Sequence, residues 1–441
     1  MAPGPRRHTD RDQALIGQVF TPPALAAEIL AAVEMSPESV LDPTCGNGNF
    51  LVEAARRWPG AALAGIEADP GVAAAARERL PGARIEVADA LNVPVAPEFD
   101  LVVGNPPYAA AFRDPADRAR VRADHPTARG SFDLAVPFVE RAIAWLRPGG
   151  WLALVVTNKL LVKDFASLLR EHLLAQLALV EVWDLAAAPA FPGVAVDVAV
   201  IIGRRSPATR RPIVVLGRKD GSRERYPAAG LAVGARGRWE VYRTPAVAGI
   251  LAEIEQHPRL GDLRGVGIRD GILGRAYHEV PLSDGLQNLY TPVYTGVSHV
   301  RTVAVGNIRP GEVAWDRPFK RGGQTYREPV TPVTGEFAAF CREPKVLVKG
   351  VARRLVAAFC EEPAVPMVAV RAVTGHTEPL ALEGWLNSPL ASFYLEVTCR
   401  SDRIPRGSYN ISKAWLQELP IPDRPPALEP GARAWLAAYG V

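Results

Sequence analysis

"SVLDPTCGNGNFLVEAARRW", residues 39–58, sets a short run of strand-forming residues before a Gly/Asn-rich loop and an amphipathic helix. Val40 and Leu41 read as a strand, the glycines at 46 and 48 allow close backbone approach to a ligand, and a helix is predicted from Phe50. Its neighbours repeat the unit. "ALAGIEADPGVAAAARERL" (62–80) is again strand then helix, "ARIEVADAL" (83–91) adds a strand, and "FDLVVGNPPY" (99–108) adds another. Strands alternating with helical patterns predict an α/β fold, a doubly wound and mostly parallel sheet with helices on both faces.

Upstream, "QVFTPPALAAEILAAVEM" (18–35) puts Thr21 where an N-cap belongs, Pro22 or Pro23 in the first turn, and Leu25, Ile29, Leu30 and Val33 on one face. Downstream follow a helix near 133–146, a turn at "RPGG", a strand at "WLALVVT" (151–157), a helix near 165–174, and strands within 177–184 and 194–205. This reading divides the chain into a tail at 1–17, an α/β domain at 18–205, a boundary region at 206–240, and a second, mixed α+β domain at 241–441. In the last of these, "KVLVKG" (345–350) and "PMVAVRAV" (366–373) read as strands and 380–394 as a helix.

The 441 residues, 48% hydrophobic and 22% charged, suit an ordinary globular protein. There is no run of eighteen apolar residues and no apolar segment behind the basic start, so no membrane span or secretion signal is expected and the cytoplasm is the expected location. Cys45, Cys341, Cys360 and Cys399 are dispersed, with no C-x-x-C pair and no histidine at ligand spacing, which predicts neither a metal site nor a disulfide framework. A net charge of +4 permits nucleic-acid binding without requiring it.

In an open parallel sheet, ligands bind beyond the carboxyl ends of the strands, where strand order reverses. Four marked segments fall at such ends: the loop of Asp42, Pro43, Thr44, Cys45 and Gly46; Glu67; Asp89; and Asn105, Pro106, Pro107, Tyr108. The loop is neither G-x-G-x-x-G nor a P-loop, so a phosphate is not the expected guest. Glu67 is placed to accept from two ribose hydroxyls and Asp89 from an exocyclic adenine amine, a set that suits a nucleoside without polyphosphate. Taken singly, each acid also fits an exposed strand end, and the tetrapeptide fits a proline-terminated strand. Their order along one chain is what favours a site.

In that order the sequence resembles the S-adenosylmethionine-dependent DNA amino-methyltransferases, and within them the gamma group with a TaqI-like carboxyl-terminal specificity domain. The resemblance is strong over residues 18–204 and diffuse beyond. It rests on Asn105-Pro106-Pro107-Tyr108, which matches the family's catalytic tetrapeptide, and on the stretch from Gly17 to Pro22, which looks like the cofactor motif that precedes the Gly-rich loop in this group. It implies the class I methyltransferase (Rossmann-like) fold with a target-recognition domain behind it. It further implies that Phe20, Thr21, Pro22, Asp42, Thr44, Cys45 and Gly46 hold S-adenosylmethionine, that Glu67 holds its ribose, and that Asp89 reads its adenine. Phe191, in "PAFPGVAVDVAV", looks like the aromatic that stacks on the target base together with Tyr108, and reads equally well as a core phenylalanine beside a Pro-Gly turn.

The chemistry fits those residue types. The N6 lone pair of adenine is delocalised into the ring, so the amine is a poor nucleophile. Acceptors at the Asn105 side-chain oxygen and the Pro106 carbonyl would draw the nitrogen toward tetrahedral geometry and stabilise the charge that grows on it, and no strong base is required. The base must leave the duplex first, at a cost of a few kcal/mol that stacking on an aromatic offsets. Double-stranded DNA is then the expected partner, gripped by Lys349, Arg353, Arg354, Arg400, Arg403, Arg406 and Lys413, with Tyr409 and Trp415 interleaved. A cognate restriction enzyme or other defence proteins are further expected partners, and a monomer is expected. The alternatives are N4-cytosine methylation, which poses the same chemical problem, and a non-catalytic DNA-binding subunit of a defence complex. Glutamine methylation of a protein is disfavoured by the short stretch before Gln18 and the long one after the α/β fold.

Overall fold

The computed structural model describes residues 20–108, 115–186, 191, 197–207, 211–218, 220–228, 231–233, 237–272, 283–284, 298–321, 324–327, 329–403, 407–422 and 430–438. The chain forms two compact units, residues 1–244 with 438–441, and residues 245–437.

The first unit is built on a nine-stranded sheet. Its elements are α1 (Pro23–Ala31), β1 (Ser39–Asp42), α2 (Asn49–Arg57), β2 (Ala62–Glu67), α3 (Pro70–Arg79), β3 (Arg84–Val87), β4 (Phe99–Gly104), α4 (Pro115–Asp124), α5 (Ala135–Ala144), β5 (Leu146–Thr157), α6 (Lys159–Val162), α7 (Ser167–Gln176), β6 (Ala178–Asp184), β7 (Val198–Arg204), β8 (Ile213–Gly217) and β9 (Arg223–Pro227). The strand order is β3-β2-β1-β4-β5-β7-β6-β8-β9. All pairings are parallel except those of β7 with β5 and β6 and of β8 with β9. The chain runs outward from β1 to β3 and then returns to β4 on the other side of β1, so strand order reverses between β1 and β4. That is where a ligand is expected in a sheet of this kind.

Period explains the layers. Val40, Ile85, Leu101 and Val103 share a core with Leu25, Ile29 and Leu30 of α1, Phe50 and Leu51 of α2, and Ala73 and Ala76 of α3. Each leucine or isoleucine buried there contributes roughly 1.5–3 kcal/mol. Val136, Val139 and Ile143 are the buried side of α5, which packs on β5. Asp69 caps α3, its Oδ1 accepting from the amides of Gly71 at 2.7 Å and Val72 at 3.1 Å.

Three local readings change. Thr21 is not an N-cap: Pro22 holds that position with no side-chain cap, because two successive prolines already preset the first turn and leave Thr21 buried. "RPGG" is not a turn between elements but part of β5, whose pairing with β4 shifts register between Phe99 and Leu101, so the extra residues are absorbed as a bulge. The 206–240 stretch is not an empty boundary, since it carries β8 and β9, short strands whose signal is hidden among turn residues.

The second unit is α+β. Gly267–Asp270, Val370–Thr374, Lys345–Lys349 and Ala357–Cys360 form one antiparallel four-stranded sheet in that order. A second sheet contains Pro329–Val333, Ser298–Val303 and Ala364–Pro366. Leu347, Met367 and Ala372 are buried in the same core as Val303 and Phe340. The helix expected over 380–394 is two helices, Pro379–Leu386 and Pro389–Cys399. Asn387 ends the first, and Ser388 caps the second by accepting from the Ala391 amide at 3.1 Å. A proline at the next residue cannot continue the first helix but suits the start of a second.

Candidate functional site

A cavity of about 230 Å³ opens at the β1/β4 reversal. Phe20, Thr44, Gly46, Glu67, Asp89 and all of Asn105, Pro106, Pro107 and Tyr108 line it. Four strand ends therefore bring the predicted ligand-holding acids and the predicted reactive tip to one space. Asp42 lies immediately beneath, 2% exposed, its Oδ1 accepting from the Thr44 amide at 3.0 Å. Thr21 and Cys45 are buried and Pro22 is half-buried around the cavity's loop, and none of the three lines it.

The acids are held before any ligand arrives. Glu67 accepts from the amide of Gly46 at 3.0 Å and from that of Asp69 at 2.9 Å, so the end of β2 is tied to the loop after β1. Asp89 accepts from the Leu91 amide at 2.9 Å and from Asn92 Nδ2 at 3.1 Å. Gly46 sits at φ 53°, and a Cβ there would come within 2.8 Å of the Phe20 ring. Only glycine allows the loop to lie flat against that ring.

Polar atoms without partners mark the same region. Thr21 Oγ1, Thr44 Oγ1 and Asn47 Oδ1 are buried and have no hydrogen-bond partner among the described residues. Such atoms are costly unless something satisfies them. Three side-chain oxygens beside a two-acid, glycine-cradled cavity suit an adenosyl group that carries a zwitterionic amino-acid tail. Tyr108 is half-buried with its ring against the sheet core, and burial pushes its hydroxyl above the usual range while a hydrogen bond with Asn105 opposes the shift.

Phe138, from α5, also lines the cavity and is absent from the sequence expectation. Its only signal is an apolar residue on an amphipathic helix, which reads as core. Phe191 is in fact a core residue: it is 5% exposed, belongs to the cluster that includes Trp183 and Leu185, and does not line the cavity.

The expected DNA-contacting residues of the second unit separate into two groups. Arg353, Arg354 and Lys413 are exposed, and Lys349 is half-buried at the end of its strand. Burial lowers the Lys349 ammonium below its usual range, and the positive charges of Arg317 and Arg354 add to the shift. Arg400 does not belong to this surface: it is 2% exposed and ion-paired with Glu396 at 3.0 Å, four residues back on the same helical path. Arg403 lies over the Tyr409 ring at 5.6 Å. Tyr409 and Trp415 are buried, with Trp415 Nε1 donating to Thr398 Oγ1 at 3.1 Å, so neither offers a free stacking face. Arg406 and the 17–19 part of the amino-terminal motif lie outside the described residues. Among the described residues there is no cluster able to hold a metal ion and no helix long and apolar enough to cross a membrane.

Strand order, the glycine loop between β1 and α2, and the acids at the ends of β2 and β3 together define the class I methyltransferase fold, whose cofactor is S-adenosylmethionine. Residues 40–123 match the family described as methyltransferase domain, and residues 84–191 match the Eco57I restriction-modification methylase family, so the first unit is related to restriction-modification methyltransferases. The chain is similar to the type II methyltransferase M.TthHB8I of Thermus thermophilus, 35% identical over 202 residues, which are 43% of this chain and 45% of that protein. It is also similar to the type II methyltransferase M.XhoI of Xanthomonas vasicola, 36% identical over 27% of this chain and 22% of that one. A release factor glutamine methyltransferase of Geobacter sulfurreducens is 36% identical over 26% of this chain and 43% of its own. The chain thus spans less than half the length of these curated relatives. The solved structure of the type IIL restriction-modification enzyme MmeI in complex with DNA shares the fold at a TM-score of 0.52 and 13% identity, over 85% of this chain and 61% of that one.

Proposed function

We propose that the protein transfers a methyl group from S-adenosylmethionine to the N6 amine of an adenine flipped out of duplex DNA, at a specific site, in a restriction-modification or phage-defence setting. The observation that carries this reading is the single cavity lined both by Glu67 and Asp89 and by the Asn105 to Tyr108 tip. A methyl donor held by the acids would face an amine held by the tip.

In this reading Glu67 receives the ribose hydroxyls and Asp89 the adenine amine of the cofactor, while Phe20, Thr21, Thr44 and Gly46 surround the remainder. Asn105 Oδ1 and the Pro106 carbonyl accept the two hydrogens of the target amine. The two prolines fix the directions in which those acceptors point, which is preorganisation of the kind that lowers a charge-developing barrier. Tyr108 stacks on the flipped base, and a base-aromatic stack is worth roughly 1–3 kcal/mol. Exposed Arg353, Arg354 and Lys413, with Lys349, supply phosphate contacts from the second unit. Cytosine N4 is the alternative target.

Expressing the chain in cells whose DNA lacks N6-methyladenine and mapping modified bases tests the proposal. N6-methyladenine in a recurrent sequence context is the expected result. N4-methylcytosine would replace the target base, and unmodified DNA together with methylated protein glutamine would remove DNA as the substrate.

A further inference from the structure

Asp42 ends β1 and Gly104 ends β4, and the two strands are neighbours, with Val40 opposite Leu101 and Leu41 opposite Val102. Gly104 adopts φ 152°, a conformation that side chains rarely accept. A Cβ at Gly104 would stand 2.7 Å from Asp42 Oδ1 and 3.4 Å from Thr44 Oγ1. The carboxyl group therefore rests on the bare Cα of the residue immediately before Asn105. Resting on the methyl-transfer reading above, we propose that Asp42 is a positioning residue, which sets the height of the Asn105-Pro106-Pro107-Tyr108 tip over the cofactor loop through its contact with Gly104.

The same side chain faces both partners. One oxygen accepts from the Thr44 amide and so belongs to the loop that lines the cavity, while its outer surface supports β4. Movement of the loop on cofactor binding is transmitted to the tip by contact between a buried carboxyl and a backbone that has no side chain to yield. Burial raises the Asp42 carboxyl, the Thr44 amide opposes that shift, the negative charge of Glu67 adds to it, and the result is about 7. The titratable groups facing it are Glu67 and the Cys45 thiol, itself raised mainly by burial. The spacer thus holds its proton below neutrality and loses it above.

The test compares Asp42→Ala, Asp42→Asn, Gly104→Ala and the double variant Gly104→Ala/Asp42→Ala. Tritiated methyl incorporation into unmodified bacterial genomic DNA is measured at saturating S-adenosylmethionine, with cofactor affinity by calorimetry and hydrogen exchange over residues 103–108. Asp42→Ala is expected to lower kcat about tenfold to a hundredfold, the scale of a misplacement near 1 Å, and to raise exchange at the tip. Asp42→Asn, with the same shape, should lose less kcat than Asp42→Ala and should lose the pH dependence near 7. The double variant should recover part of the Gly104→Ala loss, since it removes the collision. Full kcat for Asp42→Ala at saturation, with weakened affinity alone and unchanged exchange, would overturn the proposal. If the wild-type chain methylates no DNA, the methyl-transfer reading fails by itself. Hydrogen exchange then decides the positioning role, with equal exchange in wild type and Asp42→Ala overturning it. Should Asp42→Ala not fold, Asp42→Ser takes its place in each comparison.

Discussion

Asp42 carries a cost that a pH series will expose. Its native pKa is raised from 3.8 to about 7, chiefly by burial. Between those values the unfolded chain has released the proton and the native protein still holds it, so stability falls as pH rises across that window, by up to roughly 4 kcal/mol, and is level above it. Asp42→Asn removes this term. Urea melts of the cofactor-free protein should therefore show the variant gaining on wild type between pH 4 and 7, and an equal response in both would show that Asp42 ionises freely. At the tip, Asn105→Ala should cut methyl transfer by about a hundredfold or more while leaving cofactor affinity within a few-fold, because its proposed partner is the transition-state amine. Glu67→Ala should do the reverse and weaken cofactor binding in calorimetry. The residues that were legible in the sequence are those whose type is unusual for their place: an amide between strand and prolines, acids at the ends of apolar strands. Phe138 and the fit of Asp42 to Gly104 were not legible, since an apolar residue on a helix looks the same whether or not it lines a site, and which residue a strand-end acid rests on is set by strand order.

Among the elements, short-range punctuation misled most where two signals overlapped. Asn387, Ser388 and Pro389 end one helix and start another inside a single apolar stretch, and the apolar period masks the break. Ser388→Ala removes the acceptor of the Ala391 amide and should destabilise the second unit by about 1 kcal/mol in denaturant melts. A change within 0.2 kcal/mol would mean that water replaces the hydroxyl there. The edge of the large sheet was obscured for a different reason. Three of the five residues of β9 are charged, and it is anchored by long-range partners that no local pattern reveals: Arg223 forms a two-pronged ion pair with Glu28 of α1 at 2.6 Å and lies over the Trp183 ring at 5.6 Å. Arg225 pairs with Glu181, whose other oxygen accepts from Trp183 Nε1 at 2.6 Å. Alternation of strand and helix was enough to read the parallel half of the sheet. It carried no information about β9, which these ion pairs tie to α1 and β6.

For the whole molecule, charge is the lever. The chain is only +4 overall, yet Lys349, Arg353, Arg354 and Lys413 are concentrated in the second unit, where Arg317 adds a further positive charge beside Lys349. If these residues contact phosphates, duplex affinity will fall with salt, and neutralising any one of the exposed three should reduce the slope of log K against log salt by about 0.9. An unchanged slope in the triple variant would move DNA contact elsewhere on the chain. The strand order has one more consequence, and it concerns synthesis. Phe99–Gly104 is almost wholly apolar and lies in mid-sheet, yet its partner on the far side, Leu146–Thr157, leaves the ribosome only after the intervening α4 and α5. Until then the nascent chain presents an open, hydrophobic strand edge, the type of surface on which chains join one another. The described residues that line the cavity all precede 139, so this part of the pocket's sequence has been made before the strand that shields its central support.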